Sequence, residues 1–271
     1  MTTLALAAST ARRKTALITG ASAGLGVEFA LQLAAKNMDL VLVARRESRL
    51  QSLAARLRQQ HNDIQVLCIA ADLSAPEAPQ HIYAKVRQAN IEIDYLINNA
   101  GASGPEMLKE PRWKVQEEYL RLMMTSVTEL CHLFVPAMQK RSFGRVINVA
   151  SVAGRIARGG DCHYGPSKAY LVAFSEALAL TVSRDGVLVS ALCPGFTHTE
   201  FHEAGGRLAL KEATPGFIWY SAETVVREGL KGLEAGKRIV ISGRLYRWLD
   251  PILQSVWLRP LALLTQRSAR T

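Results

Sequence analysis

Ala16-Leu17-Ile18-Thr19-Gly20-Ala21-Ser22-Ala23-Gly24-Leu25-Gly26 joins a short apolar strand to a helix through a turn rich in glycine. Backbone N–H groups at such a turn point outward at the start of the helix, where they hold a phosphate. Gly20 is read as the tight turn, Gly24 as the point where a pyrophosphate approaches, and Gly26 as the opening of the helix. The spacing is G-x-x-x-G-x-G, a variant of the common G-x-G-x-x-G dinucleotide fingerprint. An ordinary strand-to-helix turn has the same look, so the reading depends on what lies downstream.

The first apolar run of strand length is Thr15–Thr19, and six more follow: Leu40–Ala44, Ile64–Ala70, Tyr95–Asn98, Arg145–Ala150, Val187–Leu192 and Arg238–Ile241. They are continuous and not alternating, as in strands covered on both faces. Helical periodicity fills the gaps, for example Leu50, Leu53, Ala54 and Leu57. The pattern predicts an α/β fold, a doubly wound (Rossmann-type) parallel seven-stranded sheet with helices on both faces. Ligands bind such sheets beyond the carboxyl ends of the strands. Gly20, Asp72, Asn98, Ser151 and Pro194 fall there, after strands one, three, four, five and six.

Bulk properties narrow the classes. The chain has 271 residues and 49% apolar content, enough for one large core. No run approaches the ~20 apolar residues of a membrane span. Leu4 to Ala8 is apolar, but Arg12, Arg13 and Lys14 follow it instead of preceding it, the wrong order for a secretory signal. Residues 1–13 are read as a flexible tail. Cys68, Cys131, Cys162 and Cys193 show no C-x-x-C spacing and lie in apolar segments, which fits a reducing cytoplasmic location. The net charge of +10 is scattered, with no basic run interleaved with aromatics. That predicts a solvated basic surface and no nucleic-acid partner.

A second motif, Tyr164-Gly165-Pro166-Ser167-Lys168, sets a phenol and an ammonium four residues apart on one helical face. With Asn98-Asn99-Ala100-Gly101, Ser151 and Pro194-Gly195 in order around it, the chain resembles the short-chain dehydrogenase/reductase family from about Lys14 to Ser242. The resemblance divides the chain into the tail, a catalytic domain over 14–243 with a substrate loop at 196–222, and an extension over 244–271. It also implies a homodimer or homotetramer.

The resemblance implies a nicotinamide cofactor held by Gly20, Ser22, Gly24, Leu25 and Gly26. Strand two ends in Arg45-Arg46, where an NAD enzyme carries an acid for the ribose 2′-OH. A carboxylate repels a 2′-phosphate, whereas Arg clamps it, so NADP(H) is expected. Asp72 and Leu73 resemble the step that holds the adenine. Asn99, Ala100 and Gly101 resemble the central turn. Pro194, Gly195, Phe196, Thr197 and Thr199 look like the loop that seats the carboxamide.

Tyr is a poor acid at neutral pH, with an ordinary pKa of ~10, and an ammonium one turn away lowers that value. In the family pattern Tyr164 is the acid and base, Lys168 serves both Tyr164 and the nicotinamide ribose, and Ser151 binds the substrate oxygen. The pattern's relay Asn corresponds here to Met123, with Ser126 or Thr125 as substitutes through water. The expected function is NADP(H)-dependent interconversion of a lipophilic ketone or aldehyde and its alcohol. Two rivals are a cofactor-binding scaffold or redox sensor with weak turnover, and a reductase of 3-oxoacyl thioesters on an acidic carrier.

Other residues attract attention. His198 and His202 stand at i, i+4 with no third ligand, so no metal site is expected. His163 is read as lying on the helix flank. Phe196, Phe201, Leu208, Leu210, Phe217, Ile218, Trp219 and Tyr220 suggest an apolar lid. In the extension, Leu245, Trp248, Leu249, Ile252, Leu253 and Val256 repeat at helical spacing, and Asp250-Pro251 reads as a helix start. Trp257, Leu258, Leu261, Leu263 and Leu264 follow. Five Arg (Arg244, Arg247, Arg259, Arg267, Arg270) stand against Asp250. The segment is read as covering the cleft or a dimer contact, or as a peripheral membrane contact.

Overall fold

A computed structural model describes residues 12–198, 218–255 and 257. The strands are β1 (Thr15–Thr19), β2 (Asp39–Ala44), β3 (Val66–Ala70), β4 (Tyr95–Asn98), β5 (Gly144–Val149), β6 (Val187–Cys193), β7 (Thr197–His198), β8 (Tyr220–Ser221) and β9 (Ile239–Ile241). Seven of them form one parallel sheet in the order β3-β2-β1-β4-β5-β6-β9. The order reverses between β1 and β4, and a crevice opens at their carboxyl ends at such a point.

The helices are α1 (Gly24–Ala34), α2 (Glu47–Gln60), α3 (Ala78–Gln88), α4 (Trp113–Leu120), α5 (Ser126–Lys140), α6 (Tyr164–Thr181), α7 (Ala222–Glu234) and α8 (Arg244–Gln254). Side chains alternate across each strand, which divides the core in two. Ala16, Ile18, Leu40 and Leu42 pack with Phe29 and Leu33 of α1, Leu50 and Leu57 of α2, and Val226 and Leu230 of α7. Leu17, Val41, Val43 and Leu96 pack on the other face with Ile82 of α3, and Leu130 and Phe134 of α5. Every residue of β1 is buried, which is why the first run reads as continuously apolar. Burying each of its large side chains contributes roughly 1.5–3 kcal/mol.

Two expectations change. Arg12 and Arg13, read as part of a flexible tail, are bound to the body of the protein: Arg12 grips Asp94 through both carboxylate oxygens at 2.7 and 2.9 Å, and Arg13 reaches Asp39 at 3.3 Å. The extension's helix starts at Arg244 and not at Asp250. Gly243, with φ of +89°, turns the chain out of β9 into α8, leaving Asp250 and Pro251 inside the helix. Asp250 has a different task, taken up below. The outward face of α8 carries Trp248, Leu249 and Ile252, all exposed.

The two ends of the segment expected to form a substrate loop pair as the parallel strands β7 and β8, with Thr197 opposite Tyr220. Thr199, Phe201, His202, Leu208, Leu210 and Phe217 lie outside the described residues, as do Val256, Leu258, Arg259, Leu261, Leu263, Leu264, Arg267 and Arg270. Among the described residues no helix is long and apolar enough to cross a membrane.

Candidate active site

The glycine turn is built as its residue types require. Gly20 and Gly24 take φ of +66° and +52°, a region that favours glycine. A Cβ on Gly20 would stand 2.8 Å from Asn99 Nδ2. Helix α1 opens at Gly24, and no side chain caps it, the form of helix start that holds anions in other proteins. Gly26 has a different role from the one read in sequence. A Cβ there would lie 2.1 Å from the Gly20 carbonyl oxygen, so Gly26 lets the helix press onto the turn.

Thr19 and Asn99 lock this turn to the end of β4. The Asn99 and Ala100 amides donate to Thr19 Oγ1 at 2.9 and 3.0 Å, and Asn99 Nδ2 donates to the Thr19 carbonyl at 2.9 Å. Asn98 faces inward instead, donating to Asn148 Oδ1 at 2.8 Å.

The basic pair is split. Arg46 donates to Ser22 Oγ at 3.3 Å, which places a guanidinium and a hydroxyl beside the glycine turn. Arg45 is 74% exposed and stands 3.9 Å from Asp72. An exposed pair of this kind stabilises little, so Arg45 can exchange Asp72 for another anion. Asp72 also accepts from the Ser74 amide and hydroxyl at 3.0 and 2.7 Å. The Leu73 side chain is buried in the core beside Val43 and Ile69, which leaves its backbone for any ligand. An uncapped helix start, left-handed glycines and a basic pair with Ser22 together fit a dinucleotide bearing a 2′-phosphate.

Just after β5, Ser151 opens a 3₁₀ turn over Val152–Gly154, its Oγ accepting from the Ala153 amide at 3.1 Å. A Cβ on Gly154 would lie 2.6 Å from the backbone of Lys168 and Ala169, so the turn rests directly on α6. Tyr164 is the first residue of α6, and Asp161 secures that end by accepting from the Gly165 amide at 3.0 Å. Lys168 Nζ lies 5.8 Å from the Tyr164 ring centre and donates to the Val149 carbonyl at 2.7 Å. Burial pushes the Lys168 ammonium down to about 8, with a smaller opposing influence from Cys193. The same burial pushes the Cys193 thiol up to about 12.

Gly101 closes the opposite wall. A Cβ there would meet Met123 Sδ at 3.4 Å and Lys168 Nζ at 3.6 Å. Met123 is buried within a π-helical turn, Arg121–Thr125, between α4 and α5. Its sulfur accepts from the Ala102 amide at 3.5 Å, so Met123 is a packed wall residue. Ser126 Oγ donates to the Leu122 carbonyl at 2.9 Å, and Thr125 is exposed.

His163 is not on an open flank: it is buried, paired with Gln116 Oε1 and set against the Tyr119 ring. His198 stacks on Trp219 at 5.1 Å, and the described residues hold no cluster of three metal-ligating groups. Sequence reasoning missed Arg155 and Tyr246. The space a Cβ on Gly195 would take is filled by the Tyr246 ring, 1.9 Å away. No local signal joins residues so far apart.

Residues 14–206 match the family model described as short chain dehydrogenase. The chain is 30% identical over 191 residues to the 3-oxoacyl-[acyl-carrier-protein] reductase FabG of Escherichia coli, covering 70% of this chain and 76% of that protein. A short-chain dehydrogenase from Sphingobium yanoikuyae, solved in complex with NADPH, is 30% identical with a TM-score of 0.78, over 95% of this chain and 98% of that one. The bulky-bulky ketone specific alcohol dehydrogenase from Comamonas testosteroni is 25% identical with a TM-score of 0.74, over 95% and 96%.

Proposed function

The chain belongs to the short-chain dehydrogenase family, as an NADP(H)-dependent oxidoreductase of CH–OH groups, and we propose that it reduces bulky, lipophilic ketones and aldehydes with Tyr164 as the acid. The observation that carries this reading is the buried Lys168 ammonium, one turn from Tyr164 on the helix that the Ser151 turn rests upon. When bound, NADPH supplies a hydride to the carbonyl carbon. Ser151 Oγ donates to the carbonyl oxygen and orients it. Tyr164 gives its phenolic proton to that oxygen as negative charge develops. Lys168 holds positive charge beside the phenolate that remains, and the burial of Lys168 and Met123 strengthens that attraction. The likeness to the Comamonas enzyme supports a bulky ketone, and Phe196 and Trp219, rings 5.1 Å apart, supply apolar surface at the stem of the substrate loop.

The Ser22, Arg45 and Arg46 cluster would select the 2′-phosphate. Exchanging Arg45 for Asp should weaken NADPH binding about 10–100-fold, the size of a lost charge-assisted contact. NADH binding should hold or improve. Titration of cofactor fluorescence reads both values, and an unchanged preference in Arg45→Asp would remove Arg45 from the site.

A second reading, reduction of 3-oxoacyl thioesters, is favoured by the likeness to FabG. Assaying NADPH oxidation with simple ketones of graded size beside a 3-oxoacyl thioester separates the two. Tyr170 and Leu180, exposed on α6, support a homo-oligomer.

A further inference from the structure

Helix α8 is built inside out. Its outward face carries Trp248, Leu249 and Ile252, which are 78%, 39% and 50% exposed. The face turned to the body of the protein carries Tyr246, Asp250 and Gln254, spaced i, i+4, i+8. The Tyr246 ring packs against Tyr220, 6.1 Å between ring centres, and polar contacts do the rest. Three side chains bind specific groups, and each group belongs to a wall of the reaction site.

Asp250 and Gln254 grip the Ser151 wall. Both Asp250 oxygens accept from Arg155, at 2.8 Å from Nε and 2.9 Å from Nη2. The two side chains are 14% and 17% exposed, so water screens the pair weakly. Gln254 donates to the Arg155 carbonyl. Arg155 in turn closes the turn that Ser151 opens: its amide donates to the Val152 carbonyl, and the Gly154 amide to the Ser151 carbonyl, each at 3.0 Å.

Tyr246 grips the other wall. Its ring lies on Gly195, its hydroxyl accepts from the Phe196 amide at 3.3 Å, and the same hydroxyl donates to the Ile218 carbonyl at 3.1 Å. The Val152 amide donates to the Pro194 carbonyl at 3.0 Å and joins the two walls directly.

We propose that Asp250 and Tyr246 are positioning residues, with α8 a strap that fixes the Ser151 turn against the Pro194–Phe196 loop. Asp250 acts through Arg155 on Ser151, and Tyr246 acts on the loop proposed to seat the nicotinamide. The proposal rests on the reductase reading for its kinetic consequences. Its structural core, control of the Ser151 turn by a carboxylate 95 residues away, stands independently of turnover.

The test compares Asp250→Asn, Asp250→Glu and Tyr246→Phe in the full chain. Asp250→Asn removes charge at constant size. It should speed amide exchange at Val152, Gly154 and Arg155 about tenfold and lower kcat for a ketone about tenfold. NADPH affinity should stay within about twofold of wild type. Asp250→Glu, which keeps the carboxylate, should recover most of both losses. Tyr246→Phe keeps the ring and loses the hydroxyl, so NADPH binding should weaken several-fold while exchange at Gly154 and Arg155, whose amides bond within the Ser151 turn, is unchanged.

Wild-type exchange and kcat in Asp250→Asn overturn the strap. So does a uniform rise in exchange across the whole sheet, which marks a merely structural helix, and so does failure of Asp250→Glu to recover. If the wild-type protein reduces no ketone, the exchange comparison still decides the strap while the reductase reading fails alone.

Discussion

Replacing Tyr164 with Phe abolishes ketone reduction and leaves NADPH bound. The ring remains at the start of α6 and only the hydroxyl is lost, so the packing of Ser151, Gly154 and Lys168 persists. General acid catalysis by a positioned side chain accounts for roughly 10²–10⁴ in rate, and turnover should fall by at least about a thousandfold. Cofactor affinity should move by less than about threefold, since the proposed phosphate contacts lie at Gly20–Gly26 and Ser22–Arg46. Steady-state kinetics with a cofactor titration measure the two together. Wild-type turnover in Tyr164→Phe would mean that another group supplies the proton.

Lys168→Met is expected to lose both functions at once. One ammonium is proposed to support the phenolate and to bind the cofactor ribose, so turnover should fall about a hundredfold or more and NADPH affinity about tenfold. The same substitution has a second signature, in stability. Burial lowers the Lys168 pKa from 10.5 to about 8. Between those values the unfolded chain binds the proton and the folded chain does not, so stability rises with pH across that window. Below about pH 8 both states are protonated and the group contributes no slope. Thermal unfolding from pH 7 to 10 should therefore show an increment in wild type that Lys168→Met lacks. Parallel profiles for the two proteins would mean that the ammonium is not desolvated.

The fold was legible because buried parallel strands announce themselves. β1 and β4 have the ends read in sequence, and the other five strands shift by one or two residues. Their apolar runs are continuous because α1, α2 and α7 cover one face and α3, α5 and α6 the other. Positions fixed by contacts within one turn were also legible, such as Gly20 with its positive φ. What sequence could not show is which distant group fills the space beside a residue. Gly195 reads as part of the loop that seats the carboxamide, and nothing local shows that the Tyr246 ring from α8 lies on it. Asp250 before Pro251 reads as a helix start, yet its carboxylate belongs to Arg155. Arg45 stands in the family's selecting position, but Arg46 is the one bonded to Ser22, because the chain turns into α2 between them. Met123 departs from the family pattern as the sequence indicates. Its enclosure in a π-helical turn against Gly101 and the Ala102 amide is tertiary information.

The central claim is that this chain moves a hydride from NADPH to a carbonyl carbon while Tyr164 protonates the oxygen. Tracing the hydride tests it most directly. The full chain is incubated with NADPH deuterated on the transferring face of C4 and with ketones of graded size, and the alcohols are analysed by mass spectrometry and NMR. The account predicts an alcohol carrying one deuterium on its carbinol carbon, formed by wild type and not by Tyr164→Phe. Alcohol that lacks the label, or no alcohol from any ketone while NADPH stays bound, would contradict it.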